Sequence, residues 1–501
     1  MGMESSASGK SEASAELADV AVVGAGGAGL LAGIAAARTG ARTVLYERMA
    51  KPAKKVAISG GGRCNFSNNL PPRQFVRLFG DPNAAFLGHA LRAFSKEDLF
   101  ALLAKYGIEG QVEKEYRLYT KSGRGSDVVK ALVEEFRKAG GILVTGAPIR
   151  SVVQSVAGAG YDLANEEAGG AAAPPGALVC QARTVVICTG GLSYPATGST
   201  GDGYAWARAF GHGVTPLRPA LVGLQLEEEW PRALSGLAWE DAEAALFRAE
   251  GGTRNADAKS AGAAAGIGAD PVTLPTPPFE EGENTCAHFS LATKARLERP
   301  LAVERAEILF THFGISGPAI LDLSNAYVRA GLERARLRLD FFPDVSREEL
   351  DQRLCARLKQ QPTRRVSGAL SGLLPARLLE HLERTLGASG AVPASRLPKA
   401  ARLQLLTQVK GLELTVVGTR GMEFGEVTAG GVEWEGLDPA TLESHFAAGL
   451  FFAGEILDLA GRCGGFNLQA AFSTGYLAGR EAARCAAEES KKSNGSNRRD
   501  Q

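Results

Sequence analysis

Cysteine, histidine and aromatic residues are few and scattered in this chain, and each scarcity excludes something. The seven cysteines stand at 64, 180, 188, 286, 355, 463 and 485. They are odd in number and lack C-x-x-C spacing, which argues against a zinc site and a disulfide framework and for a reducing, cytoplasmic setting. The six histidines form no ligand cluster, so no metal is expected. Lys and Arg number 56 against 55 Asp and Glu, a net charge of +1. That balance argues against a general nucleic-acid or membrane-surface binder. No apolar run is long enough to span a bilayer.

What is present reads as an ordinary globular composition, with 45% hydrophobic and 22% charged residues in 501. That length predicts roughly three domains. Residues 1–17 are rich in Ser, Ala and Glu, without the apolar core of a signal peptide, and read as a disordered leader. The chain is organised around the stretch from Asp19 to Glu47. Val20-Ala21-Val22-Val23 predicts a buried strand, Gly24-Ala25-Gly26-Gly27-Ala28-Gly29 a turn, and the small apolar run from Leu30 to Ala37 a helix. Thr43-Val44-Leu45-Tyr46 predicts the next strand, ending on Glu47. Gly24 permits the tight turn, Gly26 lets a pyrophosphate approach the backbone, and Gly29 lets helix and strand pack closely. The helix N-terminus favours the phosphates. A carboxylate at Glu47 suits ribose hydroxyls and argues against a 2′-phosphate.

Further along, Ser59-Gly60-Gly61-Gly62-Arg63-Cys64-Asn65, preceded by several lysines, forms a second backbone-donor loop. Helical patterns cover Pro82 to Gly107 and Asp127 to Ala139, and Ile142-Leu143-Val144 is a strand. The segments Ile149 to Val156 and Leu178 to Ala182 read as antiparallel strands around a loop rich in Gly, Ala and Pro. Thr184 to Cys188 reads as a buried strand feeding the loop Thr189 to Tyr204. From Leu221 to Asp340 short alternating strands with little helix predict an inserted β-rich domain. Helical pattern follows from Arg347 to Val409. Leu450 to Glu455 is a strand ending on an acid, and Gly464-Gly465 opens a helix expected to run to about Cys485. The domains expected are 18–216 and 425–487 for the two parts of the nucleotide-binding domain. Between them lie 217–345 and 411–424 for the β-rich domain, with a flexible insertion at 251–284, and 346–410 for a small helical domain. A disordered tail is expected at 488–501.

The blocks Lys55 to Asn68, Thr189 to Tyr204 and Phe452 to Gly475 together resemble the bacterial FAD-dependent flavoproteins of the YhiN/BaiN type. These are aminoacetone oxidase-like or NAD(P)/FAD-dependent oxidoreductases. The resemblance extends through Thr311 to Pro318 and Val427 to Val432, and so covers nearly the whole chain from Asp19 to about Arg484. It implies an α/β fold: a Rossmann-like FAD-binding domain of the three-layer, two-dinucleotide-binding-domain type, with an inserted β-barrel-like domain and a small helical domain. It implies FAD, with Gly24, Gly26 and Gly29 on the pyrophosphate and Glu47 on the adenosine ribose. Ser59, Gly60, Arg63, Cys64 and Asn65 would lie along the phosphates and flavin, and Thr189 and Gly190 near the adenosine–pyrophosphate part. Gly454 and Glu455 would hold the ribitol–phosphate region, and Gly465, Phe466, Asn467 and Leu468 would approach the pyrimidine edge of the flavin. Gly27, Ala28, Arg48, Lys55, Gly61, Ile149, Gly191 and Gly464 complete the expected cofactor set. Phe466 stands where tyrosine is common, and Phe66-Ser67 where a β-branched residue and threonine are common.

The function expected is hydride transfer between FAD and a small organic substrate reaching the flavin between the two main domains. Arg63, Cys64, Tyr194, His312 and Asn467 are candidate lining residues, with Cys64, His312 and Tyr194 the catalytic candidates. Cys64 beside Arg63 suggests a thiolate of lowered pKa, although a small buried residue packed near the flavin fits the same position better. A lone histidine next to a turn, like His312, is more often structural. No second complete G-x-G-x-x-G unit is present for NAD(P)H. Either dioxygen or transiently bound NAD(P)H therefore remains open as electron partner. The alternative is an FAD-binding module acting in RNA or protein interaction. The sequence leaves oligomeric state open.

Overall fold

The computed structural model describes residues 17–113, 116–156, 160–165, 178–249, 299–386 and 392–496. Residues 1–16 of the leader, the 251–284 insertion and the last five residues lie outside them. The chain forms two compact units, residues 1–223 with 419–501, and residues 224–418.

The first unit opens with β1 (Ala18–Val23), α1 (Gly27–Ala37), β2 (Thr43–Glu47), α2 (Lys54–Ile58) and β3 (Asn65–Asn68). It continues with α3 (Pro72–Leu78), α4 (Leu87–Ala93), α5 (Lys96–Ala104), β4 (Gly110–Glu113), β5 (Arg117–Thr120), α6 (Gly125–Lys138) and β6 (Ile142–Thr145). Next come β7 (Ser151–Gln154), β8 (Tyr161–Ala164), β9 (Leu178–Ile187), α7 (Asp202–Ala209) and β10 (Arg218–Ala220). The main sheet has the order β6-β2-β1-β9-β8-β7. Its left half is parallel, with Val20 opposite Thr43 on one side and Thr184 on the other. β1 is almost wholly buried, which is why it reads as a continuous apolar run with no alternation. The expected hairpin of 149–156 with 178–182 is corrected: β8 lies between them, antiparallel to both. Four residues next to a Gly/Ala/Pro-rich run were too short a strand signal.

The second unit holds β11 (Leu224–Leu226), β12 (Ala238–Arg248), β13 (Ala302–Thr311), β14 (Gly314–Ser316), α8 (Pro318–Arg329) and β15 (Ala335–Asp340). After α9 (Arg347–Gln360), α10 (Val366–Ala369), α11 (Ala376–Thr385) and α12 (Lys399–Lys410) comes β16 (Leu412–Thr419). The six strands close into a barrel in the order β11-β14-β13-β12-β15-β16. The expectation of little helix before Asp340 is corrected by α8, a helix of 12 residues. Pro318 fits its first turn, where a missing N–H costs nothing. Ala319, Ile320, Leu323, Tyr327 and Val328 are buried on its helical face.

The chain then returns to the first unit with β17 (Val427–Ala429), β18 (Leu450–Phe452) and α13 (Phe466–Ser496). β18 adds to the main sheet parallel to β9, with Phe452 opposite Ile187. α13 packs on α1, and it continues to Ser496, past the expected end near Cys485. Side chains at Gly475 and Gly479 would place a Cβ 2.1 Å from the Ala28 carbonyl and 2.0 Å from the Ala32 carbonyl. The two helices cross backbone to backbone, and only glycine fits there. This crossing sets the N-termini of both helices at the C-terminal edge of the parallel strands, where α/β sheets bind ligands.

Candidate cofactor site

The turn from β1 to α1 shows three different reasons for three glycines. Gly24 has φ +99°, and a Cβ there would sit 2.5 Å from the Cys188 carbonyl oxygen at the end of β9. A Cβ at Gly29 would sit 1.8 Å from the carbonyl oxygen of Gly24. Both are demanded by packing. Gly26 is not: its φ is −75°, and a Cβ there would meet nothing within 4 Å. α1 has no side-chain cap and no acidic residue in its first turn. The positive dipole end of α1 thus lies uncapped by any side chain beside the open space at Gly26.

Glu47 ends β2 and is 8% exposed. Its carboxylate accepts from the amides of Ala25 at 2.9 Å and Met49 at 2.8 Å. Burial outweighs these bonds and the nearby Arg48 charge and pushes its pKa up. The acid is thereby fixed against the glycine turn. Arg48 pairs with Asp202 at 2.7 Å and also donates to Thr200, so its guanidinium ties the end of β2 to the loop before α7.

That loop is also reached by Lys54, whose Nζ donates to the Ala196 carbonyl at 2.8 Å. Lys55 goes further in. Its Nζ lies 2.8 Å from Glu455 Oε2 and 2.9 Å from Ser193 Oγ. Ser193 donates to Glu455 Oε1 at 2.6 Å, and the Thr428 amide donates to the same oxygen at 3.0 Å. The amides of Leu192 and Ser193 in turn donate to Thr428 Oγ1 at 2.8 and 3.0 Å. Gly191 is needed here, since a Cβ would fall 2.2 Å from Thr428 Oγ1. Ser193 and Thr428 were missed as site residues. Each lies within a block that carries the family resemblance, but only the fold reveals that both meet Glu455.

Gly60, Gly61 and Gly62 all take positive φ. The Arg63 guanidinium pairs with Glu113 and lies 4.5 Å above the Tyr119 ring. The Asn65 amide, turned so that its nitrogen faces the Leu118 and Ser67 carbonyls, accepts from the Gly465 amide at 3.0 Å. This bond joins the second loop to the start of α13. Gly464 also has positive φ. The Phe466 ring is buried among Phe75, Phe79 and Tyr116. The Asn467 side chain brackets the backbone of Gly461, accepting at 2.8 Å and donating at 2.9 Å. Both side chains thus shape the helix start from behind. Ser59 donates its hydroxyl to the Val56 carbonyl at 2.9 Å. Ile149 is buried, and Leu468 is half-buried at the start of α13.

The three catalytic candidates fare differently. Cys64 is fully buried, and burial pushes its thiol up to about 11. This burial suits the favoured reading of a small packed residue and not the low-pKa thiolate, because the loss of solvent outweighs the neighbouring Ser59 side chain. Tyr194 is 38% exposed at a strained φ of +50°, with its amide bonded to the Met422 carbonyl at 3.1 Å. His312 belongs to the second unit, exposed in the turn between β13 and β14 and edge-on to Phe313. Among the described residues no group of His, Cys, Asp and Glu could hold a metal, and no helix is long and apolar enough to cross a membrane.

Thr189 supplies the remaining clue. Its Oγ1 is buried and has no hydrogen-bond partner among the described residues, although buried hydroxyls are nearly always bonded. A bare glycine, an uncapped helix, a fixed carboxylate and an orphaned hydroxyl fit an extended dinucleotide with pyrophosphate and ribose, as in FAD.

The comparisons with known proteins agree. A relative from Clostridium scindens, a 3-dehydro-bile acid delta(4,6)-reductase, is 29% identical over 93% of this chain and 98% of its own length. A ribosomal RNA dihydrouridine synthase from Escherichia coli is also 29% identical, over 91% of this chain and 96% of its own. A solved 3-ketosteroid-delta4-(5alpha)-dehydrogenase from Rhodococcus jostii aligns over 95% of this chain and 99% of its own. Its identity is 15% and its TM-score 0.46, too low to add to the argument. The HI0933-like protein Rossmann domain matches residues 18–481, and the chain therefore belongs to the HI0933-like family, the YhiN/BaiN-type FAD-dependent oxidoreductases that its motifs resemble.

Proposed function

We propose that this protein uses FAD to reduce a carbon–carbon double bond conjugated to a carbonyl group. The observation that carries the cofactor assignment is Gly26, a glycine that nothing in the fold requires. The α1 amides would hold the pyrophosphate, Glu47 a ribose and Thr189 a neighbouring oxygen. When bound, FAD supplies the two-electron hydride chemistry. The protein's part is to bind and orient it, and the N-terminus of α13, fixed by Asn65 and Asn467, favours negative charge beside it. The bond type is suggested by the relatives. A delta(4,6)-reductase and a dihydrouridine synthase are both named for adding hydrogen across a conjugated double bond. A small conjugated ketone suits the net charge of +1. Uridine in RNA is the second reading, favoured only by the names of two relatives. NADH or NADPH is the proposed donor.

The test is anaerobic absorbance of the FAD-loaded protein. NADH or NADPH should bleach the flavin, and a 3-oxo-4,6-diene bile acid should restore its colour. Recolouring only by uridine-containing ribosomal RNA would move the substrate to the second reading. No bleaching by either nucleotide, with direct reduction by amines or alcohols, would overturn the reductase reading in favour of an oxidase.

A further inference from the structure

Lys55, Ser193, Thr428 and Glu455 come from four separate stretches of the first unit and meet in one network. Lys55 and Glu455 are largely shielded, with side-chain exposures of 24% and 17%. Both carboxylate oxygens of Glu455 are already taken: Oε2 by Lys55, Oε1 by Ser193 and the Thr428 amide. Lys55 has three N–H donors, and two are engaged by Glu455 and Ser193. The third has no partner among the described residues. The network also lies close to the helix that receives the phosphates. Gly454, next to Glu455, would place a Cβ 2.7 Å from Ala28 Cβ in the first turn of α1.

The chain just before Lys55 also meets the glycine turn, the Ala53 amide donating to the Ala25 carbonyl at 2.8 Å, and an uncompensated carboxylate on this side of α1 would repel a doubly charged pyrophosphate in a partly dry site. We propose that Lys55 is a charge-compensating positioning residue: it cancels Glu455, aims its third N–H at the cofactor, and is held in place by Ser193 and Thr428. Glu455 then acts on the cofactor through Lys55 and through the loop at 191–193. This rests on the FAD reading above and assigns Glu455 a different task from direct contact.

The consequence is a reversal of sign. Removing Lys55 alone leaves Glu455 uncompensated beside the phosphates, whereas removing both charges relieves the repulsion. FAD affinity, read by flavin fluorescence on the full chain, is measured for the native protein, Lys55→Met, Glu455→Gln and the double variant. Far-UV circular dichroism and melting without FAD check folding. Lys55→Met should weaken FAD at least tenfold, in the range seen for close charge pairs across interfaces. The double variant should bind at least threefold tighter than Lys55→Met. If it binds no tighter, the inference is overturned. Should Lys55→Met fail to fold, Glu455→Gln decides alone: it should bind within about threefold of native, since Gln keeps an acceptor for Ser193 and Thr428. A larger loss overturns the inference. Native protein that binds no FAD would instead overturn the cofactor reading on which it rests.

Discussion

At the scale of single residues, burial decides most of the chemistry. His212 is 4% exposed, and its Nε2 lies 2.7 Å from Ser444 Oγ. That oxygen already accepts from the amides of Phe446 and Ala447, so its hydrogen goes to Nε2 and the imidazole is neutral. Phe446 and Phe452 pack edge-on against the ring. Burial, with a smaller contribution from His445, lowers the His212 pKa to about 4. The unfolded chain, with an ordinary histidine pKa near ~6.5, then binds a proton that the native state does not. Stability from this group is complete above pH ~6.5 and falls as pH drops toward 4, by on the order of 2–3 kcal/mol. Thermal melts between pH 7 and 4.5 should show that slope, and His212→Gln should flatten it. Cys64 gives a second outcome. A buried thiol raised to about 11 should resist a thiol reagent at pH 8 in the native protein and react on unfolding. Fast labelling in the native state, mapped by mass spectrometry, would favour the reactive-thiolate reading instead. The adjacency of Cys64 and Arg63 in sequence offered the reactive thiolate only as the less favoured reading, and adjacency says nothing about which way a side chain turns. Arg63 turns to Glu113 and Tyr119.

At the scale of elements, the glycine turn, β1, α1 and β2 were legible because each carries a local signal: a buried apolar run, a helix of small residues, an acid at the right distance. The same holds for α6, expected from Asp127 and found from Gly125. α8 and β8 were missed. A four-residue strand gives little periodicity to count, whereas α8 does carry a helical pattern at Ala319, Ile320, Leu323, Tyr327 and Val328, which was overlooked among the strand-like runs around it. The contact of α13 with α1 could not be read either, yet Gly475 and Gly479 stood four residues apart in plain view; only the partner helix gives them meaning. Gly479→Val would drive a side chain into the Ala32 carbonyl, 2.0 Å from its Cβ position. It should cost about 2–3 kcal/mol by overpacking and weaken FAD binding as well, because the crossing positions both helix starts. Urea unfolding and flavin fluorescence on the same samples check this. A variant as stable as the native would mean the crossing is looser than described.

At the scale of the whole molecule, three sequence blocks separated by more than a hundred residues each converge in the first unit. Lys55 reaches Ser193 and Glu455, Asn65 reaches the Gly465 amide, and Arg48 reaches Asp202. The motifs announced that these blocks belong together. They did not announce how the charges cancel, since nothing in the blocks that hold Ser193 and Thr428 says that both side chains meet Glu455. Gly26 separates cofactor binding from folding most cleanly, because its backbone is ordinary and its surroundings are open. Gly26→Glu should therefore fold and melt like the native protein, while its carboxylate occupies the place proposed for the pyrophosphate. The decisive measurement is FAD titration of native and Gly26→Glu protein by flavin fluorescence, alongside their melting temperatures in the absence of FAD. Native binding of one FAD, with at least a hundredfold loss in Gly26→Glu at an unchanged melting temperature, is the predicted result. Equal affinity in the two proteins would contradict a dinucleotide site at the start of α1.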